Sequence, residues 1–528
     1  MNRRDFVRSA ANAAGAAIVA SRATLNASAM RTSFNAEEAT IADLQRAMAA
    51  GETSAKELSQ FYLTRIDSFD KRVNSIIELN PDAVATAEKL DAERKAGKIR
   101  GPLHGVPIVL KDNIDTADKM KTTAGSLALV GAPPPARDAF IVRQLRDAGA
   151  VILGKTNLSE WANFRSTNSV SGWSGRGGQT RNPYILDRNP CGSSSGSGAA
   201  VSANLAAIAI GTETDGSIVC PASVCGVVGL KPTIGLVSRS GIIPIAHSQD
   251  TAGPMTRSVA DAAILLSAIS GVDASDDVTT KRPDRHQTDY ASFLDPAGLK
   301  GMRIGIARNY WGRRDDVDKV LDSALDAMKR AGATLVDIKL ETLGKFGSAE
   351  FEVLLYEFKD GLERYLRERK AEHTTLAQLI EFNEDNAARE MPYFKQEIFE
   401  QAAKKGDLKS KEYLDALATC RELTRSKGID AVMDANKLDA IVGPSNAPVW
   451  MIDLINGDCG SNYVSSSSIA AVAGYPNITV PAGFAGGLPI GISFFGRAFS
   501  EPILIKIAYA FEQTTKARRK PGLLATVA

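Results

Sequence analysis

Apolar residues recur at helical spacing over 36–96, with Ile41, Leu44 and Met48 on one stripe and Leu58, Tyr62, Ile66 and Phe69 on a second. At Leu103 the texture changes. The run Leu103-His-Gly-Val-Pro-Ile-Val-Leu-Lys111 is short and nearly all apolar, which predicts a buried strand ending on Lys111. A helix is predicted over 140–149 and a strand over 150–154; a helix of small residues follows over 199–207, then a strand over 207–211. Further strands are predicted over 302–306, 438–444, 478–481 and 489–495, and 273–299 reads as a polar surface excursion. Between about 316 and 430 the chain is highly charged and helical, with Leu354, Phe358, Leu362 and Tyr365 on one face; this predicts a helical insertion over the sheet. Alternating strands and helices, without a repeat or a long linker, predict an α/β protein folded as one large body.

The first 29 residues follow a different logic. Arg3 and Arg4 precede Phe6 and Val7, an alanine-rich run extends to Ala20, and Ala27-Ser28-Ala29 offers a cleavage site. This order of features predicts a twin-arginine export signal over 1–29 and a mature chain starting near Met30. The apolar run is too short to span a bilayer. The expected location is periplasmic or secreted, and residues 30–528 are read as one domain.

Composition narrows the chemistry. The chain has 528 residues and a formal net charge of +2, so nothing points to a nucleic-acid groove or an anionic surface as partner. Five cysteines (Cys191, Cys220, Cys225, Cys420 and Cys459) show no CxxC spacing, and their odd number argues against a complete disulfide framework; buried thiols are expected. Four histidines (His104, His247, His286 and His373) form no metal-ligand motif, so neither metal nor cofactor is expected.

The most unusual stretch is Asn189-Pro-Cys-Gly-Ser-Ser-Ser-Gly-Ser-Gly-Ala-Ala200, followed after a small-residue helix by Gly211-Thr-Glu-Thr-Asp-Gly-Ser-Ile-Val219. Glycine and serine at this density allow tight turns and bring backbone N–H groups close to a ligand. A flexible linker would not sit between apolar strands, and neither phosphate-loop fingerprint is present. An acyl-transfer site remains, with a serine nucleophile and neighbouring amides as the oxyanion hole. With no histidine in the block, the base must come from elsewhere. A lysine at the end of a buried strand can serve, because burial disfavours its charged form.

Several blocks, in order, resemble the amidase signature family over about 36–515. They are Leu103–Asn113, Leu153-Gly-Lys-Thr-Asn157, Gly192-Ser-Ser-Ser-Gly196, Gly211–Ile218, Gly229-Leu-Lys-Pro-Thr233, Thr251–Asp261 and Gly487-Leu-Pro-Ile-Gly491. The resemblance implies an α/β/α sandwich around a large mixed sheet and a Ser–cisSer–Lys triad. In that triad Lys111 is the base, Ser193 the bridge on a cis peptide bond and Ser217 the nucleophile. Ser194 is the other serine placed to bridge. The backbone N–H groups of Thr214, Asp215, Gly216 and Ser217 are the oxyanion-hole candidates, while His104, His247, Asn157, Arg257 and Asp261 read as scaffold.

The resemblance also bears on substrate. Many relatives carry an arginine two residues after the nucleophile; here Val219 stands there, which disfavours small dicarboxylic monoamides. The wording Glu213–Ala222 is closer to bacterial peptide amidases and implies a small-molecule or peptide amide as substrate. Pro392–Gln396 and the Trp450 loop are candidates to line the channel. Two other classes share the core: an amidotransferase component, which the export signal and Val219 disfavour, and a non-catalytic binding protein, which the three candidate catalytic residues disfavour.

Overall fold

A computed structural model describes residues 34–281, 289–460 and 463–527; the expected export signal over 1–29 lies outside the described residues. In chain order the strands are β1 (Ile76–Leu79), β2 (Pro107–Lys111), β3 (Val151–Thr156), β4 (Trp173–Ser174), β5 (Gly178–Gln179), β6 (Ile208–Glu213), β7 (Val228–Lys231), β8 (Thr251–Thr256), β9 (Arg303–Ala307), β10 (Thr334–Ile338), β11 (Ala440–Pro444), β12 (Asn477–Ala485) and β13 (Leu488–Phe495). All but the small β4–β5 hairpin join one sheet in the order β1-β3-β2-β6-β8-β7-β12-β13-β11-β9-β10. β2 runs parallel to β3 and β6, and β9 parallel to β10 and β11; the pairs between these two groups are antiparallel. The fold is the expected α/β/α sandwich. Strands β2, β3, β6, β7, β8, β11 and β13 are buried along their whole length, which is why the stretches of β2, β3, β6, β11 and β13 read from the sequence as strands are largely apolar.

Three features depart from the sequence pattern. β1 interrupts the stretch read as helical over 36–96; only its antiparallel pairing with β3 makes it a strand, and that partner lies far along the chain. The helix expected over 199–207 spans Ser195–Ser202, beginning as soon as the serine run allows. β10 lies inside the stretch read as helical insertion, joined in parallel to β9 through the helix Asp315–Arg330. The charged outer face of that helix masks a buried stripe of Val317, Leu321, Leu325 and Met328, so this segment belongs to the sheet layer. The insertion proper opens with the helix Gly347–Arg369. Its Leu355, Phe358, Leu362, Leu379 and Phe399 form an apolar cluster with Leu129, Trp161, Phe164 and Ile243 of the sheet-bearing body.

Candidate active site

The register of β2 against β6 pairs Leu110 with Ile210, so Lys111 emerges beside the end of β6. Its side chain is fully buried. Lys111 Nζ donates to Ser193 Oγ at 2.7 Å, to Thr212 Oγ1 at 2.8 Å and to the Thr212 carbonyl at 3.2 Å. Burial lowers the amine pKa from 10.5 to about 7, against the opposing pull of the Asp250 and Glu213 carboxylates. Lys155 and Lys231 are also fully buried, but their amines reach Thr122, Ile114 and Pro232 and no serine of the glycine–serine run. Of three lysines that burial could neutralise, Lys111 is the one bonded to a candidate serine.

The structure also distinguishes the serines. The Gly192–Ser193 peptide bond is cis, and the Ser193 hydroxyl accepts from the lysine. Ser194 Oγ instead donates to the Thr212 carbonyl at 2.9 Å and accepts from Thr212 N–H, which ties the run to β6. Ser195 and Ser197 are spent on the carbonyls of Cys191 and Ile210. Small residues are needed here because the helix Ser195–Ser202 lies directly against backbone. A Cβ on Gly196 would stand 2.3 Å from the Ser75 carbonyl and 2.5 Å from that of Asn157.

Ser217 reaches this group through its backbone: its carbonyl accepts from Ser194 N–H at 3.1 Å. The Ser217 hydroxyl makes no hydrogen bond to another described residue, so its link to Ser193 is not closed in this structure. Such a bond commonly tightens only when substrate binds. Gly216, with φ of +76°, turns the segment into the helix Val219–Val224. The N–H groups of Thr214, Asp215, Gly216 and Ser217 donate to no acceptor among the described residues, as an oxyanion hole requires.

Several side chains support this centre in ways the sequence reading did not assign. Glu213 Oε2 accepts from the N–H groups of Ile218 and Val219 at 2.7 and 2.9 Å, closing the turn from below. Thr214 Oγ1 donates to Asp250 at 2.6 Å. Asn113 Nδ2 donates to the same Thr212 hydroxyl that Lys111 uses, at 3.0 Å. The side chains of His104, Asn157, Arg257 and Asp261 bond to backbone away from this centre, and His247 lies beside Glu357.

The cysteines require a correction. Cys191 and Cys220 are joined by a disulfide, while Cys225 and Cys420 are buried thiols and Cys459 is exposed. Sequence spacing gave no hint because the partners lie 29 residues apart. The fold brings them together by setting the Ser193 loop against the start of the Val219–Val224 helix, so the bridge fastens the two serine-bearing segments to one another.

Two cavities lie in this part of the fold, and only the second is lined by residues of the candidate site. One of about 330 Å³ is lined by Val449, Trp450, Tyr463 and Arg188, and the Tyr463 hydroxyl lies 3.0 Å from Cys220 Sγ. The other, of about 560 Å³, is lined by Asn113, Thr212, Thr214, Ile243 and Tyr365. The Trp450 loop lines the first cavity, which includes none of the three candidate catalytic residues. Pro392–Gln396 lines neither: Phe394 is buried under Arg165 and against Trp173, and Gln396 bonds Asn383.

Residues 57–505 match the model of the Amidase family. Over 507 residues the chain is 44% identical to a probable amidase of Arabidopsis thaliana, covering 94% of each. It is 36% identical over 483 residues to a glutamyl-tRNA(Gln) amidotransferase component from Halorhodospira halophila, covering 90% of this chain and 97% of that one. Among solved structures, the peptide amidase of Stenotrophomonas maltophilia superposes with a TM-score of 0.88 at 52% identity, covering 92% of this chain and 99% of that one.

Proposed function

The chain belongs to the amidase family, a hydrolase of carbon–nitrogen bonds in linear amides, and from that premise we propose that it removes the terminal amide from peptides through an acyl-enzyme on Ser217. One observation carries the mechanism: a desolvated Lys111 amine, with its pKa lowered to about 7, donates to Ser193 beside a turn whose four N–H groups donate to no acceptor among the described residues. The Ser217 hydroxyl proton passes to Ser193 as the Ser193 proton passes to neutral Lys111, and the Ser217 oxygen bonds to the amide carbon. The carbonyl oxygen becomes an oxyanion held by the 214–217 amides. Collapse breaks the C–N bond while the lysine proton returns through Ser193 to the departing nitrogen, which leaves as ammonia. Water repeats the sequence on the acyl-enzyme and releases the carboxylic acid.

The substrate reading rests on the 52% identity to a peptide amidase and on Val219, which is fully buried and places no cation beside the nucleophile. The purified enzyme should release ammonia from C-terminal peptide amides and leave the corresponding peptide acids intact, read by ammonia assay and mass spectrometry. Turnover of glutamine with none of peptide amides would replace this reading by an amidotransferase-like one.

The site of action is proposed as outside the cytoplasm. Arg3 and Arg4 with Ala27–Ala29 support export, and the Cys191–Cys220 bridge is of the kind that persists in an oxidising compartment. Expression of the full chain should give a periplasmic or secreted product trimmed near Met30, in which Cys191 and Cys220 resist alkylation until reduced. An untrimmed cytoplasmic product with both thiols free would overturn it.

A further inference from the structure

Three separate segments converge on the back of the 214–217 turn. Glu350, in the first turn of the insertion helix Gly347–Arg369, faces the Asp215 carboxyl group at hydrogen-bonding range. The Gln249 side-chain amide donates both to Glu350 Oε1 at 3.0 Å and to the Thr214 carbonyl at 3.3 Å. On the other side, Ser467, from the helix Ser467–Ala473, donates to Asp215 Oδ1 at 3.2 Å. Two carboxyl groups in contact are held together by a shared proton; ionised together, they repel.

We propose that Glu350 is a positioning residue for acyl transfer: through its contact with Asp215 and through Gln249, it clamps the Thr214–Ser217 turn so that its N–H groups stay aimed at the reacting carbonyl. This rests on the reading of Ser217 as nucleophile and adds to it that the insertion completes the oxyanion site. Burial and the Asp215 carboxylate push Glu350 up to about 8. Around the pair, Lys231 favours the ionised form of Asp215, whose charge in turn opposes ionisation of Glu213 and of the Tyr310 phenol; Glu350 and Glu357 oppose ionisation of Cys420. As pH rises through about 8 the shared proton is lost, the carboxylates repel and the clamp opens. Activity therefore rises as Lys111 deprotonates and falls as Glu350 does.

The test compares Glu350→Ala, Glu350→Gln and wild type by kcat and KM across pH 6–10, with fluorophosphonate labelling of Ser217 as a separate readout. Glu350→Ala should lower kcat about 10- to 100-fold with little change in KM, a part of what losing one oxyanion donor costs. Glu350→Gln supplies a donor to Asp215 that does not titrate, so it should recover most of kcat and abolish the alkaline fall. If Glu350→Ala does not fold, the alkaline limb of Glu350→Gln decides alone. Wild-type labelling at Ser217 together with an unchanged alkaline limb in Glu350→Gln would overturn the clamp and leave the nucleophile standing. No labelling of folded wild type at Ser217 would remove the nucleophile, and the clamp with it.

Discussion

Ser217→Ala should lower kcat by a factor on the order of 10,000 to 1,000,000 and eliminate covalent labelling by a fluorophosphonate, with the fold intact. The oxygen that attacks the amide carbon is removed, whereas the 214–217 turn keeps its backbone hydrogen bonds through Glu213 and Ser194. Residual activity would come from substrate binding and the oxyanion site alone, the pattern of a serine hydrolase that has lost its nucleophile. The Ser217 hydroxyl bonds no other described residue, so its deletion leaves no partner unsatisfied and stability should stay within about 0.5 kcal/mol. Near-normal amide hydrolysis by this variant would place the nucleophile elsewhere.

Lys111→Ala should lower kcat about 1,000-fold or more and remove the rise in rate centred near pH 7. The sign follows from the base: protonated lysine cannot accept the serine proton, so wild-type activity grows as pH rises through about 7. The same shift acts on stability. The folded-state pKa lies below the unfolded one, so the unfolded chain binds more protons between pH 7 and 10.5. Folding is therefore penalised by an amount that accumulates as pH falls through that window and is constant below it, on the order of 5 kcal/mol for a displacement from 10.5 to about 7. Lys111→Met fills the space without a titrating group. Its stability advantage over wild type, measured by urea unfolding, should be largest near pH 7 and shrink towards pH 10. A difference that does not vary with pH would mean that the amine is not neutralised by burial.

The two readouts separate chemistry from scaffold. A residue that only supports the fold would lose stability when replaced and would leave the pH midpoint of the remaining activity in place. Lys111 is expected to behave in the opposite way on both counts, because its cost to the fold and its use in catalysis share one cause, the absence of water around its amine.

The sequence by itself determined what depends on neighbours along the chain. The run ending at Lys111 announced a buried strand because seclusion on both faces leaves no reason for polar alternation, and Gly192–Gly198 announced close backbone contact because only small residues fit against the carbonyls of Ser75 and Asn157. The order of motifs around Lys111, Ser193 and Ser217 carried the family resemblance that makes these three residues, distant in sequence, the catalytic candidates. Only the tertiary structure decided that Ser193, not Ser194, receives the hydrogen bond from Lys111, since strand register sets which hydroxyl stands within reach of the amine. The same holds for β1 and β10, whose partners lie in other parts of the chain, for the Cys191–Cys220 bridge, and for Glu350, a charged residue on a charged helix until the fold sets it against Asp215. Hydrophobic periodicity records whether a position is buried; it carries no record of which buried group stands opposite.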